Sequence, residues 1–215
     1  IMHSRRYTPA VITGKPLEIG GSAGREAATA RGLLCNVRRW AQRTGKHLRG
    51  MTVAVQGFGN VGSWSARLLA EDGCRVVAIS DVTGAYHNPD GIHIEGAIAH
   101  AQAHGGLLTG FEKSAGVRKL EQSPQVLELE VDILVPAALE NQITGKNAPR
   151  IRARLIAEGA NGPITYDADE VLNASGIHVI PDILCNSGGV TVSYLEWVQN
   201  RIGLFWSEDR VNRDL

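Results

Sequence analysis

Cysteine is scarce in this 215-residue sequence, with Cys35, Cys74 and Cys185 the only three. They form no C-x-x-C pair and no metal-ligand spacing, and so odd a set points to buried thiols in a reducing cytoplasm, not a disulfide scaffold. Net charge is lacking as well. The 22 basic side chains are matched by 22 acidic ones, which leaves no electrostatic basis for nucleic acid or an anionic membrane. Aromatic residues are few, and no basic patch interleaves with them. No apolar run approaches the roughly 20 residues of a membrane span. Internal repeats, low-complexity tracts and a signal-peptide pattern are also missing, and the opening Ile1-Met2 reads as part of a longer protein. His100 and His104 lie at helical spacing but have no third ligand, and the Glu of H-E-x-x-H is absent, so no metal is expected. Ser63 and Ser193 have no His and acid in a hydrolase pattern, and no two carboxylates are spaced for acid–base work.

What is present centres on Met51 to Gly62, MTVAVQGFGNVG. The run Val53-Ala54-Val55 reads as a buried strand, and Gly57-Phe58-Gly59-Asn60-Val61-Gly62 follows as G-x-G-x-x-G, with a helical pattern opening near Asn60. Strand, glycine turn and helix together form the arrangement that holds a dinucleotide pyrophosphate. Gly57 permits the tight turn, Gly59 lets the backbone approach phosphate, and Gly62 lets the helix lie close to its strand. The helix start, with roughly half a positive charge and free N–H groups, faces the anion. A second apolar run, Val76 to Ile79, leads to Asp81, 19 positions after Gly62.

Residues 1–20 read as a linker or a remnant of an interdomain connection, with a short strand at Ala10-Val11-Ile12. Residues 21–200 read as a dinucleotide-binding domain, and 201–215 as the start of a truncated helix near Ser207. Within the domain, Ser22 is placed as the N-cap of a helix ending at Gly45. Asn88-Pro89-Asp90-Gly91 reads as a turn, with a helix from Ile94 to His104 after it. Residues 107–129 carry little pattern. Further strands are expected at Val131–Val135, Leu155–Ala157 and His178–Ile180, with helices from Asp167 to Ala174 and from Gly189 to Asn200. Alternating strands and helices predict an α/β fold of Rossmann type. This is a doubly wound, mostly parallel sheet with helices on both faces.

Ligands in such sheets bind at the carboxyl ends of the strands. Asp81 there can accept hydrogen bonds from the adenosine ribose. A 2′-phosphate about 4 Å away would cost on the order of 4 kcal/mol at an effective dielectric of about 20, which favours NAD over NADP. Ala137, Ala138, Asn161 and Asn186 occupy the other strand ends. The amides of Asn161 and Asn186 suit either a nicotinamide carboxamide or a substrate carboxylate, and on spacing alone these two serve equally as turn residues.

The sequence resembles the cofactor-binding, C-terminal domain of glutamate dehydrogenase, in the glutamate/leucine/phenylalanine/valine dehydrogenase superfamily. The resemblance is carried by Thr13-Gly14-Lys15-Pro16, Gly20-Gly21-Ser22, Arg25 to Thr29, Gly32, VAVQGFGNVG and Asn88-Pro89-Asp90-Gly91. It continues through Val135-Pro136-Ala137-Ala138, AEGANGP and IPDILCNSGGVTVSYLEWVQN, and so spans nearly the whole chain. It implies that Arg25 and Thr29 line the cleft, that Phe58, Gly59, Asn60 and Val61 hold the pyrophosphate, and that Asp81 meets the ribose. Asn161 and Asn186 then lie beside nicotinamide and substrate, and Val190 and Ser193 in the glutamate side-chain pocket. The implied reaction is oxidative deamination of L-glutamate to 2-oxoglutarate and ammonia, with hydride passing to the cofactor, in a homo-oligomeric parent enzyme. NADP stays open, because family members that use it can also keep an acid at this position.

The departure is large. The family's catalytic lysine, in G-G-x-K-G-G, and its aspartate, in P-x-P-D, belong to an N-terminal domain, and neither motif occurs here. The expectation is a domain that binds cofactor and is inactive alone. Two alternatives are a cofactor domain of a branched-chain or aromatic amino acid dehydrogenase, which the Ser193 hydroxyl disfavours, and a non-catalytic binding module.

Overall fold

The apolar runs fold into strands that differ little from the sequence reading. The computed structural model describes residues 8–215. In chain order the strands are β1 (Thr52–Gln56), β2 (Arg75–Asp81), β3 (Gly84–His87), β4 (Arg118–Lys119), β5 (Ile133–Pro136), β6 (Leu155–Ala157) and β7 (His178–Ile180). The helices are α1 (Ala28–Arg43), α2 (Asn60–Glu71), α3 (Ile94–Ala103), α4 (Tyr166–Ala174), α5 (Asp182–Cys185), α6 (Gly188–Ile202) and α7 (Glu208–Asp214).

One seven-stranded sheet has the order β4-β3-β2-β1-β5-β6-β7. The five consecutive positions β2, β1, β5, β6 and β7 pair in parallel, while β3 pairs antiparallel with both β2 and β4. β1 and its neighbours bury nearly every side chain, as a sheet covered on both faces requires. Side chains of β1 alternate between the two layers. Val53 and Val55 pack with Leu33, Val37 and Leu69 of α1 and α2, while Ala54 packs with Val126, Ala168 and Leu172 on the opposite face. From β1 the chain leaves toward β2 on one side and β5 on the other. That reversal opens a crevice at the carboxyl ends of these strands.

Four local readings change. Ala10-Val11-Ile12 is not a strand: Pro9–Val11 forms a 3₁₀ turn, since proline sets φ for a turn and has no N–H for a ladder. Ser22 does not cap α1, which starts six residues later; its hydroxyl accepts from Gln199 Nε2 at 2.8 Å. Asp167 does not cap α4 either, because Thr165 holds that position and donates its hydroxyl to Asp167. Cys35 is exposed, and only Cys74 and Cys185 are buried. The unforced stretch 107–129 contains the two-residue β4 and short 3₁₀ turns. Residues 1–7, part of the segment read as a linker, lie outside the described residues.

The linker segment from Gly14 onward is tied to α6. Gly14 N–H donates to Glu196 Oε2 at 2.8 Å, and Lys15 Nζ reaches Glu196 Oε1 at 2.5 Å. Asn200 Nδ2 donates to the Gly20 carbonyl at 2.8 Å. Glu196 is fully buried, so its charge relies on these donors. α1 and α6 cross with almost no space between their backbones. A Cβ on Gly32 would lie 2.9 Å from the Gly188 Cα, and one on Gly188 would run into the Ala28 carbonyl.

Candidate functional site

The glycine turn is built as its spacing predicts. Gly57 has φ of 89°, and a Cβ there would lie 2.7 Å from the Ala137 carbonyl, so β1 and β5 can approach only with glycine. A Cβ on Gly59 would meet nothing within 4 Å, which leaves that backbone open to the crevice. On Gly62 it would collide with the Gly57 carbonyl and press on Val55, so α2 starts directly on the turn. No side chain caps α2, so its first N–H groups face outward, ready to receive an anion. The Asn60 side chain is engaged elsewhere, donating to the Glu26 carbonyl at 2.9 Å, and the Phe58 ring is buried in the core. The Phe58 ring has no polar atom to offer a phosphate, while the exposed Asn60 amide keeps one N–H beyond its bond to Glu26.

Two hollows adjoin the crevice and share a ridge, Ala137-Ala138-Leu139. One, of about 470 Å³, is lined by Gly57, Phe58, Gly59, Asp81, Leu107 and Pro124 among others. It holds no lysine or arginine. Asp81 Oδ1 accepts from Thr83 N at 2.8 Å and Thr83 Oγ1 at 2.6 Å, and Oδ2 accepts from Leu108 N at 2.6 Å. With roughly four acceptor sites on a carboxylate, Asp81 keeps room for about one more donor. Sequence reasoning missed this. Asp81 organises its own loop as well as facing the hollow.

The other hollow, of about 870 Å³, brings together Arg25, Thr29, Val61, Ala137, Ala138, Asn161, Asn186, Val190 and Ser193. Every candidate residue assigned to the nicotinamide and substrate end is thus on one cleft. Arg25 Nε donates to Ser193 Oγ at 3.1 Å, and among the described residues no carboxylate pairs with the guanidinium. Thr13 and Glu140 also line this cleft and were not singled out from sequence.

Below the cleft floor, the β6 and β7 exit loops are stitched together. Glu158 Oε2 accepts from Asp182 N at 2.6 Å, and Asp182 Oδ2 accepts from Gly162 N at 2.8 Å. Asn186 Nδ2 donates to Asn161 Oδ1 at 2.7 Å. Burial pushes the Glu158 carboxyl up from 4.5 to about 7, with the Asp182 and Asp169 charges acting in the same direction and the Asp182 N–H opposing them. Burial likewise pushes the Cys185 thiol to about 12, helped by Glu158 and Asp182, so it is no nucleophile at neutral pH.

The Glu158 shift carries a stability signature. Between pH 4.5 and about 7 the folded chain holds a proton that the unfolded chain has released. Stability therefore falls as pH rises through that window, by about 3 kcal/mol in all. Glu158→Gln should flatten this slope and gain on the parent as pH is raised toward 8, read from urea unfolding midpoints at several pH values. An unchanged slope in the variant would remove Glu158 as its source.

Elsewhere, His100 and His104 stack at 4.0 Å, with one ring nitrogen of each against a backbone carbonyl. No group of three metal-ligating side chains gathers among the described residues. No helix among them is long and apolar enough to cross a membrane.

Fold and crevice together define a Rossmann-type α/β domain. Residues 20–215 match the glutamate/leucine/phenylalanine/valine dehydrogenase family, and the chain belongs to it. It is similar to the hetero-hexameric glutamate dehydrogenase of Thermus thermophilus in a leucine-bound form, at 36% identity and a TM-score of 0.86. That match covers 95% of this chain and 47% of the other. The Peptoniphilus asaccharolyticus glutamate dehydrogenase is 40% identical with a TM-score of 0.77, covering 95% and 46% respectively. The Plasmodium falciparum enzyme is 27% identical with a TM-score of 0.85, covering 94% and 44%. The chain thus spans less than half the length of these relatives.

Proposed function

We propose that this chain is the cofactor-binding half of an NAD-dependent glutamate dehydrogenase, and that it is inactive without its other half. The observation that carries the reading is the crevice at the point where the sheet reverses direction. There Gly57 and Gly59 clear a backbone path to the uncapped start of α2. The residues fit a dinucleotide: pyrophosphate at α2, adenosine in the hollow beside Asp81, nicotinamide over Ala137 and Ala138 toward Asn161 and Asn186. Bound there, the nicotinamide would accept hydride from the amino acid.

The chain's own residues then hold the two ligands. Arg25 and Ser193 face a carboxylate of glutamate or 2-oxoglutarate, with Thr29 and Val190 closing the cleft around it. NAD is favoured because the hollow beside Asp81 has no cation to receive a 2′-phosphate. No lysine lines either hollow, which supports the reading that the proton chemistry belongs to residues outside this chain. The exposed free thiol of Cys35 fits a reducing, cytoplasmic setting. The parent enzyme is read as a homo-oligomer, on the family's pattern.

Calorimetric titration of the 215-residue chain tests this directly. NAD should bind, with NADP weaker by at least about tenfold. The same preparation should form no NADH when glutamate is added. Glutamate-dependent NADH formation would end the claim of inactivity, and equal binding of the two dinucleotides would end the claim of NAD preference.

A further inference from the structure

The turn from β2 into β3 carries Asp81 and Val82 on the wall of the smaller hollow, followed by Thr83 and Tyr86. A carboxylate has no hydrogen to give, so the 2.6 Å contact between Thr83 Oγ1 and Asp81 Oδ1 uses the only hydrogen of the Thr83 hydroxyl. The 3.1 Å contact between Thr83 Oγ1 and the Tyr86 hydroxyl then has one direction, with tyrosine donating. Tyr86 is fully buried, and burial, with the Asp81 and Glu112 charges, raises its phenol above the ordinary value, so the proton stays in place. The relay from Tyr86 through Thr83 ends on Asp81 Oδ1, where Thr83 N–H also donates at 2.8 Å. Oδ2 receives Leu108 N–H at 2.6 Å from the loop after α3. Of the roughly four acceptor positions on a carboxylate, those on Oδ1 are filled and one on Oδ2 is open.

A carboxylate with both oxygens open can take both hydroxyls of a ribose, one on each oxygen. We propose that Thr83, held by Tyr86, restricts this site to a single ribose hydroxyl, received by Asp81 Oδ2. This rests on the dinucleotide-binding reading above. Thr83 is a positioning residue here, because it acts through Asp81 by closing Oδ1 and fixing the carboxylate plane. No other charged side chain lines the hollow, so nothing in it replaces the missing second bond with one of equal strength. The two hydroxyls of the ribose therefore become unequal. One makes a charge-assisted bond and the other does not, so the site selects for a hydroxyl at one ribose position and tolerates its loss at the other.

Calorimetry of the 215-residue chain with ADP, 2′-deoxy-ADP and 3′-deoxy-ADP tests this. One deoxy analogue should bind about tenfold or more weakly than ADP, and the other within about threefold of it. Thr83→Val combined with Tyr86→Phe removes both members of the relay at nearly constant shape, so no buried hydroxyl is stranded. With Oδ1 open, the losses on the two analogues should become equal to within about threefold. Thr83→Ser keeps the hydroxyl and should keep the unequal pattern of the parent. Equal losses on the parent chain overturn the inference, and so does an unequal pattern that survives in the double variant. The parent comparison and Thr83→Ser decide the matter even if the double variant folds poorly. If ADP binds and neither analogue is weakened, Asp81 meets no hydroxyl, and the inference fails while the dinucleotide reading stands. Failure of ADP itself to bind is a separate result, because it overturns the dinucleotide reading and this inference with it.

Discussion

Glu196→Gln is expected to destabilise the chain by about 3 kcal/mol, among the largest effects of any single polar substitution here. Its carboxylate is wholly buried and receives Gly14 N, Lys15 N and Lys15 Nζ. Neutralising it leaves the Lys15 ammonium, only 8% exposed, without its counter-charge. A buried ion pair gives little net stability over apolar packing, but removing one partner is costly because the other charge is stranded. Lys15→Met together with Glu196→Gln should therefore recover much of the loss, because the amide oxygen still accepts a backbone N–H and no charge remains. Lys15→Met with Glu196→Leu should recover less, since the Gly14 and Lys15 N–H groups then lose their acceptor. Urea unfolding of the three variants decides the issue. Equal stability of the single variant and the parent would show that water reaches Lys15.

Gly188→Ala should be comparably severe, for a steric reason. Its new methyl group points at the Ala28 carbonyl of α1, with the Gly32 N–H at 3.0 Å, so backbone meets side chain with no flexible group to yield. Overpacking of this kind costs about 3 kcal/mol, and in a chain of this size lowers the melting temperature by roughly 6–12 °C. The damage should also reach the cleft. α1 carries Thr29 and α6 carries Ser193, so forcing the helices apart widens the site between them. NAD affinity should fall along with the melting temperature. A variant that melts like the parent would mean that the two helices can slide apart at little cost.

How much of this was legible in the sequence depends on how local each cause is. The glycine turn was fully readable, because Gly57, Gly59 and Gly62 answer to backbone geometry within a few residues. The parallel strands were readable for the same reason, as β-branched runs bounded by Gly, Asn or Pro. β3 was not. Its four residues, Gly-Ala-Tyr-His, offer too short an alternation, and its place is set by pairing with β2 after a tight turn. Ser22 was misread because its partner Gln199 lies 177 positions away, while a helix start is judged from its immediate neighbours.

The site divides along the same line. Asn161 was identifiable as a residue shortly past a strand end, whereas Asn186 closes the short helix α5 and meets Asn161 only through the packing of the two loops. Glu158 gave no signal at all, since its shift comes from burial that exists only once β6 and β7 lie side by side. Asp81 was correctly placed at the end of its strand, yet nothing local showed that Leu108 already bonds to it.

The tie between Lys15 and Glu196 also bears on the order in which the molecule is made. The two residues are 181 positions apart. A chain leaving the ribosome exposes Thr13-Gly14-Lys15-Pro16 long before its docking partner on α6 has been synthesised. At about 5–20 residues per second, that segment waits on the order of ten to forty seconds. The sheet can assemble strand by strand in that interval, and the rim of the cleft is the last part to close.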